Sequence, residues 1–163
     1  LAQAIEAVRG RAKLYIEIKP APETPRLVRR VVEMLRAEAA VEGTIVASMS
    51  PAVLDEVHRL EPALRRAQLV HTSIGRPARR GLDILALRDA LVDPDQVVTA
   101  ERLGYALHVW TVNDPGAMSR FIDMGVDNII TDEPALLRDL LDERAALTDA
   151  ERLVLKIRNW LRF

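Results

Sequence analysis

The 163 residues suffice for one domain with a hydrophobic core and are too few for two domains of ordinary size. With 49% hydrophobic and 29% charged residues the composition is that of a globular protein, and a net charge of −1 gives no electrostatic basis for binding nucleic acid. The absence of cysteine excludes disulfides, thiolate metal sites and a cysteine nucleophile. No apolar run approaches the ~18 residues of a membrane span. The compartment stays undetermined.

The first part of the chain predicts a helix, a strand and a second helix. Apolar residues at helical spacing predict a helix over residues 1–9 that ends at Gly10. Alternating apolar residues predict a strand over residues 14–18. Thr24 and Pro25 predict the N-cap and first-turn proline of the next helix, and Gly43 is predicted to close it. The buried stripe of that helix is expected to comprise Val28, Val31, Val32 and Leu35.

The middle of the chain continues the same alternation. Residues 44–48 predict a strand, and Ser50 and Pro51 predict the cap and first turn of a helix with a buried face of Val53, Leu54 and Val57. Residues 68–72 predict another strand. Glycine, proline and three arginines over residues 73–81 predict a loop. Residues 84–87 give a further, shorter strand.

The last third opens with a helix over residues 94–103 that Gly104 ends. A strand–helix–strand unit follows over residues 105–131, in which Asn113 and Asp114 are predicted to turn the chain and cap the helix. Asp132 is predicted to be the N-cap of a final helix that runs from Pro134 to about residue 142. Polar residues thus follow the strands of this unit, at the edge where α/β folds bind their ligands.

Six strands alternating with helices predict a parallel sheet built from βα units. The pattern suits an open doubly wound sheet or most of an eight-stranded barrel. No glycine-rich phosphate loop follows a strand, which weighs against the nucleotide-binding doubly wound class. A complete (β/α)8 barrel has roughly 250 residues, so a barrel interpretation implies a longer protein.

Residues 148–163 predict a separate amphipathic helix, which Thr148 and Glu151 begin as a capping box. Its apolar stripe comprises Ala150, Leu153, Val154, Ile157 and Leu161. The general rule that such stripes are core faces favours a terminal helix that docks on its own domain. The alternative is contact with a membrane surface, with Trp160 at the interface.

Two charged residues at the end of the first strand are the strongest candidates for chemistry. Glu17 and Lys19 are two residues apart, which places both side chains on one face of the strand. Charges inside an apolar strand cost several kcal/mol unless they are paired or bind an ion. The chain has 20 arginines and 3 lysines, and a lysine suits a phosphate oxygen better than a planar guanidinium does. A phosphate-binding site and a simple ion pair both remain open.

Trp110 ends its strand, where its ring could form the wall of a small-ligand pocket or simply fill the core. The three histidines do not form a set: His58 lies in a helix, His71 at a strand exit and His108 two residues before Trp110. No carboxylate stands at metal-ligand spacing from any of them. We expect none of the three to be catalytic.

Two segments resemble a known family. The C-terminal signature of the glycerophosphodiester phosphodiesterase family is similar to HVWTVNDPGAMSRFIDMGVDNIITDEP (residues 108–134), and its third strand, with Glu-x-Lys, is similar to LYIEIKP (residues 14–20). The elements between them follow the family's order. The resemblance implies an incomplete TIM (β/α)8 barrel, strands three to eight, over residues 1–143, followed by the amphipathic helix of residues 148–163.

The family hydrolyses glycerophosphodiesters to an alcohol and glycerol 3-phosphate with a divalent cation. The resemblance therefore implies a small-molecule substrate and Ca²⁺ or Mg²⁺ as cofactor. By the same resemblance, Glu17 would be a metal ligand, Lys19 would contact the phosphate, and Trp110 would line the pocket near the glycerol moiety. A hard cation and an adjacent ammonium are suited to stabilising charge on a phosphodiester.

The chain also departs from the family pattern. It has neither the His-Arg-Gly that ends the family's first strand nor the Glu-x-Asp metal pair of its second. We therefore expect a longer parent protein and no turnover by this chain alone. The alternative is a non-catalytic barrel remnant that serves as a binding or interaction module, and a third interpretation is an unrelated phosphate-binding α/β protein. The tail resembles bacterial members that carry an N-terminal membrane domain, which implies membrane association of the parent.

Overall fold

The computed structural model describes residues 1–72 and 81–160. The chain divides into two compact units, Leu1–Ala86 and Leu87–Phe163. Within the described residues there are six β-strands and seven α-helices, which alternate along the chain. Both units are therefore of the α/β class, as the alternation of apolar patterns predicts.

The first unit begins with helix α1 and contains the first three strands and most of the fourth. Its elements, in chain order, are α1 (Ala2–Val8), β1 (Leu14–Glu17), α2 (Thr24–Ala37), β2 (Thr44–Ser48), α3 (Pro51–Leu60), β3 (Arg65–Val70) and β4 (Ile84–Arg88), which ends just beyond the unit. β1 pairs in parallel with β2, with Glu17 opposite Ala47, and β2 pairs in parallel with β3, with Ser48 opposite Gln68. These parallel pairs are joined by helices, as parallel strands require.

The core of the first unit lies between its strands and helices. Every residue of β2 is buried, which is the usual state of a parallel strand covered on both faces. The predicted stripe of α2 is confirmed, and it packs with one face of β1 in a cluster that includes Ile18, Val28, Val31, Val32, Leu35 and Val46, with Leu14 and Ile16 at its margin. Because side chains alternate along a strand, Tyr15, Glu17 and Lys19 point away from this cluster.

The second unit contains two parallel strands and four α-helices. After a 3₁₀ turn (Asp89–Leu91), its elements are α4 (Pro94–Leu103), β5 (Ala106–Trp110), α5 (Pro115–Met124), β6 (Asn128–Ile129), α6 (Pro134–Ala145) and α7 (Asp149–Trp160). β5 and β6 pair with His108 opposite Asn128. The pairing continues past both strands, where the Val112 amide donates to the Ile130 carbonyl at 3.0 Å.

Several predicted helix ends are confirmed. The Asp114 carboxylate accepts a hydrogen bond of 2.7 Å from the Ala117 amide, which caps α5. α4 and α5 end at Gly104 and Gly125, with φ of 75° and 84°. A left-handed backbone at the end of a helix favours glycine, because a Cβ would be strained there.

The capping box at the start of α7 is also confirmed. The Thr148 amide donates to the Glu151 carboxylate at 2.9 Å, and the Glu151 amide donates to the Thr148 hydroxyl at 3.4 Å. The Thr148 hydroxyl additionally donates to the same carboxylate at 2.7 Å. Two backbone donors at the helix start are thereby satisfied reciprocally.

Two of the predicted caps, Thr24 and Asp132, are wrong, and a third, Ser50, has the predicted position without a capping hydrogen bond. Helix α2 begins at Thr24, with Glu23 as N-cap, because the Thr24 hydroxyl turns back into the preceding loop instead of forward along the helix. Ser50 occupies the N-cap position of α3, but its side chain makes no capping bond. The N-cap of α6 is Glu133 rather than Asp132, whose carboxylate is engaged by Asn113.

Gly43 does not close α2. The helix ends at Ala37, and Ala39 adopts the left-handed backbone with φ of 51°. The Ala40 amide donates to the Leu35 carbonyl at 2.8 Å and the Ala39 amide to the Arg36 carbonyl at 3.1 Å. These two bonds form a Schellman motif with alanine where glycine is usual.

The strand predicted over residues 68–72 is displaced. β3 spans Arg65–Val70, so His71 and Thr72 lie beyond it. The prediction missed its first residues because they are charged: Arg66 is buried, its guanidinium donates to the Gly81 carbonyl, and its amide donates to the Asp83 carboxylate at 2.8 Å. The predicted loop over residues 73–81 lies, except for Gly81, outside the described residues.

Candidate active site

Glu17 and Lys19 stand at the carboxyl end of β1. Glu17 is the last residue of the strand, Ile18 is 2% exposed, and both charged side chains are exposed to solvent. Exposure of Glu17 and Lys19 on either side of a buried Ile18 agrees with the predicted placement of the two charges on one face. The predicted burial cost does not arise, because neither side chain is inside the core.

Three hydrogen bonds hold the main chain between Glu17 and Lys19 in place. The Ile18 amide donates to the Ala47 carbonyl at 2.8 Å, and the Ile18 carbonyl accepts from the Ser48 hydroxyl at 2.7 Å. The Lys19 carbonyl accepts from the Thr24 hydroxyl at 3.3 Å. Two exposed side chains are therefore presented from a rigid backbone, which lowers the entropy cost of binding a ligand between them.

The two charges do not form the simple ion pair that was the alternative interpretation. In the part of the chain that the structure describes, neither the Glu17 carboxylate nor the Lys19 ammonium has an ion-pair partner within 4 Å. Exposed and oriented by the same strand, they are available to a ligand that carries both a cation and an anion.

The ends of the neighbouring strands are tied together by buried polar side chains. Ser48 is fully buried and its hydroxyl, besides donating to Ile18, accepts from the Ser50 amide at 3.1 Å. The Gln68 side-chain amide, also buried, donates to the Met49 carbonyl at 3.1 Å. The sequence offers one signal for the role of Ser48: a small polar residue follows three apolar residues at the end of β2.

Tyr15 precedes Glu17 on the same face of β1. Burial raises the pKa of its phenol well above the usual range, and the nearby Arg65 charge lowers that pKa by a smaller amount. The phenol therefore stays protonated across the physiological range. It can donate a hydrogen bond in this strand but cannot serve as a base.

Trp110 is the last residue of β5 in the second unit and is partly buried. The peptide bond that joins it to Thr111 is cis. The position at the strand end is as predicted. Partial burial is compatible with either predicted role, lining a ligand pocket or filling the core.

Asn113 joins the two loops that follow β5 and β6. Its side-chain oxygen accepts from the Thr131 hydroxyl at 3.0 Å and from the Asp132 amide at 2.9 Å, and its nitrogen donates to the Asp132 carboxylate at 2.9 Å. Sequence reasoning treated Asn113 as a turn residue and did not find this role. The partners are 18 and 19 residues away, so no local pattern reveals them.

The histidines lie on three different elements. His58 is exposed on α3, His71 is exposed just beyond β3, and His108 is buried on β5. Among residues 1–72 and 81–160, no three histidine, aspartate or glutamate side chains come together as a metal site. That the histidines are not catalytic remains a prediction.

The residues present fit part of a site for a hard divalent cation. A carboxylate such as that of Glu17 is the ligand such ions prefer, but Ca²⁺ takes six to eight oxygens and Mg²⁺ six. One carboxylate supplies at most two of these. Glu17 can therefore be one member of a larger ligand set, and the described residues bring no group of three such side chains together.

The chain is similar to proteins of one known family. The model of the glycerophosphoryl diester phosphodiesterase family matches residues 1–136. A glycerophosphodiester phosphodiesterase of Caldanaerobacter subterraneus subsp. tengcongensis is 26% identical over 121 residues, which are 72% of this chain and 50% of that protein. The match thus extends through both units.

Solved structures agree with the sequence match. A glycerophosphodiester phosphodiesterase from Parabacteroides distasonis superposes with a TM-score of 0.79 at 27% identity, covering 88% of this chain and 64% of that one. A phosphodiesterase of Oleispira antarctica, solved with its product sn-glycerol-3-phosphate, gives a TM-score of 0.80 at 21% identity, covering 87% and 60%. The chain therefore spans between about half and two thirds of the length of these relatives.

Proposed function

The chain belongs to the glycerophosphoryl diester phosphodiesterase family, and from this premise we propose that the full-length protein hydrolyses glycerophosphodiesters to an alcohol and glycerol 3-phosphate. One observation carries the proposal. Glu17 and Lys19 are exposed at the carboxyl end of β1 on a backbone held by Ser48 and Thr24. A carboxylate and an ammonium so arranged suit a ligand that combines a divalent cation with a phosphodiester.

The role proposed for Glu17 is that of a ligand to Ca²⁺ or Mg²⁺. When bound, the cation would polarise the phosphoryl group and neutralise developing negative charge. Glu17 contributes one carboxylate from a fixed position, and its exposure leaves room for the remaining ligands. The other carboxylates would come from a part of the protein that supplies a Glu-x-Asp pair, a motif that these 163 residues do not contain.

The role proposed for Lys19 is to hold a phosphate oxygen. Its ammonium carries a localised charge on a flexible stem, so it can follow the phosphoryl group as bonds change. The hydrogen bond from Thr24 to the Lys19 carbonyl fixes the root of that stem. Lys19 thereby stabilises charge on the phosphate and is not required to donate or accept a proton.

The role proposed for Trp110 is to line the pocket beside the glycerol moiety. A partly buried indole at a strand end has a flat apolar surface to offer a ligand. The ligand class is supported by the Oleispira antarctica phosphodiesterase, whose structure contains sn-glycerol-3-phosphate. Trp110 selects by shape, because its ring carries no charge.

We further propose that the six strands correspond to strands three to eight of a TIM barrel. On this proposal the chain alone does not turn over substrate, because the sequence contains neither His-Arg-Gly nor Glu-x-Asp. A binding role without chemistry is the second candidate. It is favoured by the absence of a three-residue metal cluster among the described residues.

An assay of the full-length protein on glycerophosphocholine separates the two candidates. We expect glycerol 3-phosphate to be released in the presence of Ca²⁺ or Mg²⁺, to stop after chelation, and to resume when the cation is restored. The same chain without the segment upstream of these 163 residues should release none. Binding of glycerol 3-phosphate by the full-length protein, measured by calorimetry, without hydrolysis of any glycerophosphodiester would identify a binding module instead.

A further inference from the structure

The apolar stripe of α7 faces solvent. Leu153, Val154 and Ile157 are 60%, 66% and 50% exposed. The predicted docking of this stripe against its own domain is therefore wrong for these three side chains. Three large apolar residues exposed side by side on one helix indicate an interaction surface.

The helix is nevertheless well anchored. It lies alongside α5, and Leu155, on the side of α7 away from the stripe, is partly buried. The capping box of Thr148 and Glu151 fixes its start, and the Arg152 guanidinium donates to the Ala145 carbonyl at 3.0 Å. The stripe is thus held outward by contacts on the opposite side of the helix, which explains why the expected docking did not occur.

Basic residues flank the exposed stripe. At 100° per residue, Lys156 lies beside Leu153 on one edge and Arg158 beside Val154 on the other. Both are exposed, and neither has an ion-pair partner within residues 1–72 and 81–160. From residue 149 to residue 163 the sequence has four basic residues and two acidic ones, and both acidic residues lie in the first turn of α7. The segment is cationic although the whole chain carries a net charge of −1.

We propose that α7 binds the surface of an anionic phospholipid bilayer, with its axis in the plane of the membrane. An apolar stripe edged by lysine and arginine is the pattern of interfacial helices: the stripe enters the acyl boundary and the cations contact the lipid phosphates. An anionic surface is favoured over a second copy of this chain, because residues 149–163 carry four basic and two acidic residues and two copies would have like net charge. Among the described helices, none is long and apolar enough to cross a bilayer.

Vesicle co-sedimentation of the protein tests this proposal without reference to any enzymatic activity. The probes are vesicles of phosphatidylcholine alone and vesicles in which about a third of the lipid is phosphatidylglycerol. We expect the bound fraction on the anionic vesicles to exceed that on the neutral ones by about tenfold, and to fall as salt is added.

A matched pair of variants isolates the stripe. Val154 and Val98 are both exposed valines on helices of the second unit, at 66% and 62%. Val154→Glu should lower binding to anionic vesicles about tenfold, whereas Val98→Glu should leave it within about twofold. Glutamate favours helix more than valine does, so circular dichroism should show α7 intact.

A second matched pair of variants tests the basic residues that flank the stripe. Lys156→Gln should weaken binding to anionic vesicles and leave binding to neutral vesicles unchanged, while Arg102→Gln on α4 should do neither. Equal binding to both vesicles, absence of binding to either, or equal losses in Val154→Glu and Val98→Glu would overturn the proposal. So would self-association through α7, detected by sedimentation equilibrium and abolished by Val154→Glu, without vesicle binding.

Discussion

The hydroxyl of Ser48 donates a hydrogen bond of 2.7 Å to the carbonyl oxygen of Ile18, the residue between Glu17 and Lys19. Both residues are buried, and the same hydroxyl accepts from the Ser50 amide at 3.1 Å. The bond continues the attachment of β1 to β2 beyond the last pair of the strands. It fixes the segment from which both candidate site residues project.

Removal of this hydroxyl should destabilise the first unit. Ser48→Ala leaves the Ile18 carbonyl without its hydroxyl donor in the interior, so we expect a loss of about 1–3 kcal/mol in the free energy of unfolding. Urea denaturation measures it. Ser50→Ala is the matched control, because that hydroxyl makes no capping bond, and it should change stability by less than about 0.5 kcal/mol. Equal losses of stability in the two variants would contradict a stabilising hydrogen bond from Ser48 to Ile18.

A charge at position 113 should make the second unit sensitive to pH. Asn113→Asp replaces a donor to the Asp132 carboxylate, now at 2.9 Å, with a like charge. We expect a loss of about 1 kcal/mol at neutral pH, largely recovered in acid as one of the two carboxyls binds a proton. The companion variant Asn113→Ala should lose stability at every pH. Denaturation at several pH values distinguishes them, and identical pH profiles for the two variants would contradict the hydrogen bond between Asn113 and the Asp132 carboxylate.

The end of α2 offers a stabilising substitution. Ala39 holds a left-handed backbone with φ of 51°, which strains an L-residue with a Cβ. Ala39→Gly should raise the free energy of unfolding by about 0.5–1 kcal/mol, after the added freedom of glycine in the unfolded chain is subtracted. Ala37→Gly, two residues earlier in helical conformation, should give no gain. A loss in both variants would mean that the left-handed turn is not strained.

The capping box of α7 should be visible in a titration. Hydrogen bonds from the Thr148 hydroxyl and amide lower the pKa of Glu151 below its ordinary value. A carboxyl whose pKa is lowered by folding stabilises the helix above its unfolded pKa, and this contribution is lost as pH falls through the folded pKa. NMR titration should therefore show α7 fraying in acid.

Two variants test the cause of that shift. Thr148→Ala should return the pKa of Glu151 towards its ordinary value. Glu151→Gln should retain a capping box through its amide oxygen and remove the acid-dependent fraying. Persistence of the low Glu151 pKa in Thr148→Ala would place its cause elsewhere.

Local rules predicted much of the fold. The stops at Gly104 and Gly125 and the cap at Asp114 depend on a few neighbouring residues, and all three are confirmed. The errors have non-local causes. The start of β3 was hidden because Arg66 is buried by contacts with Gly81 and Asp83, more than a dozen residues away.

In the candidate site, too, local features were predicted from the sequence and non-local contacts were not. Alternation along one strand was enough to place Glu17 and Lys19 together, because it is a local property. The hydroxyl that fixes their backbone comes from Ser48, 30 residues beyond Ile18. The exposure of the α7 stripe to solvent could not be predicted either, because helical spacing identifies an apolar face but not what that face contacts.

The role proposed for Glu17 is that of a metal ligand for phosphodiester hydrolysis in the full-length protein. Its most direct test is the rate of glycerophosphocholine hydrolysis as a function of Ca²⁺ or Mg²⁺ concentration in Glu17→Gln and in Glu23→Gln, an exposed glutamate six residues away. We predict that Glu23→Gln follows the wild-type curve and that Glu17→Gln has no measurable activity at any cation concentration that saturates the wild type. An unchanged cation dependence in Glu17→Gln would contradict the claim and remove Glu17 from the metal site.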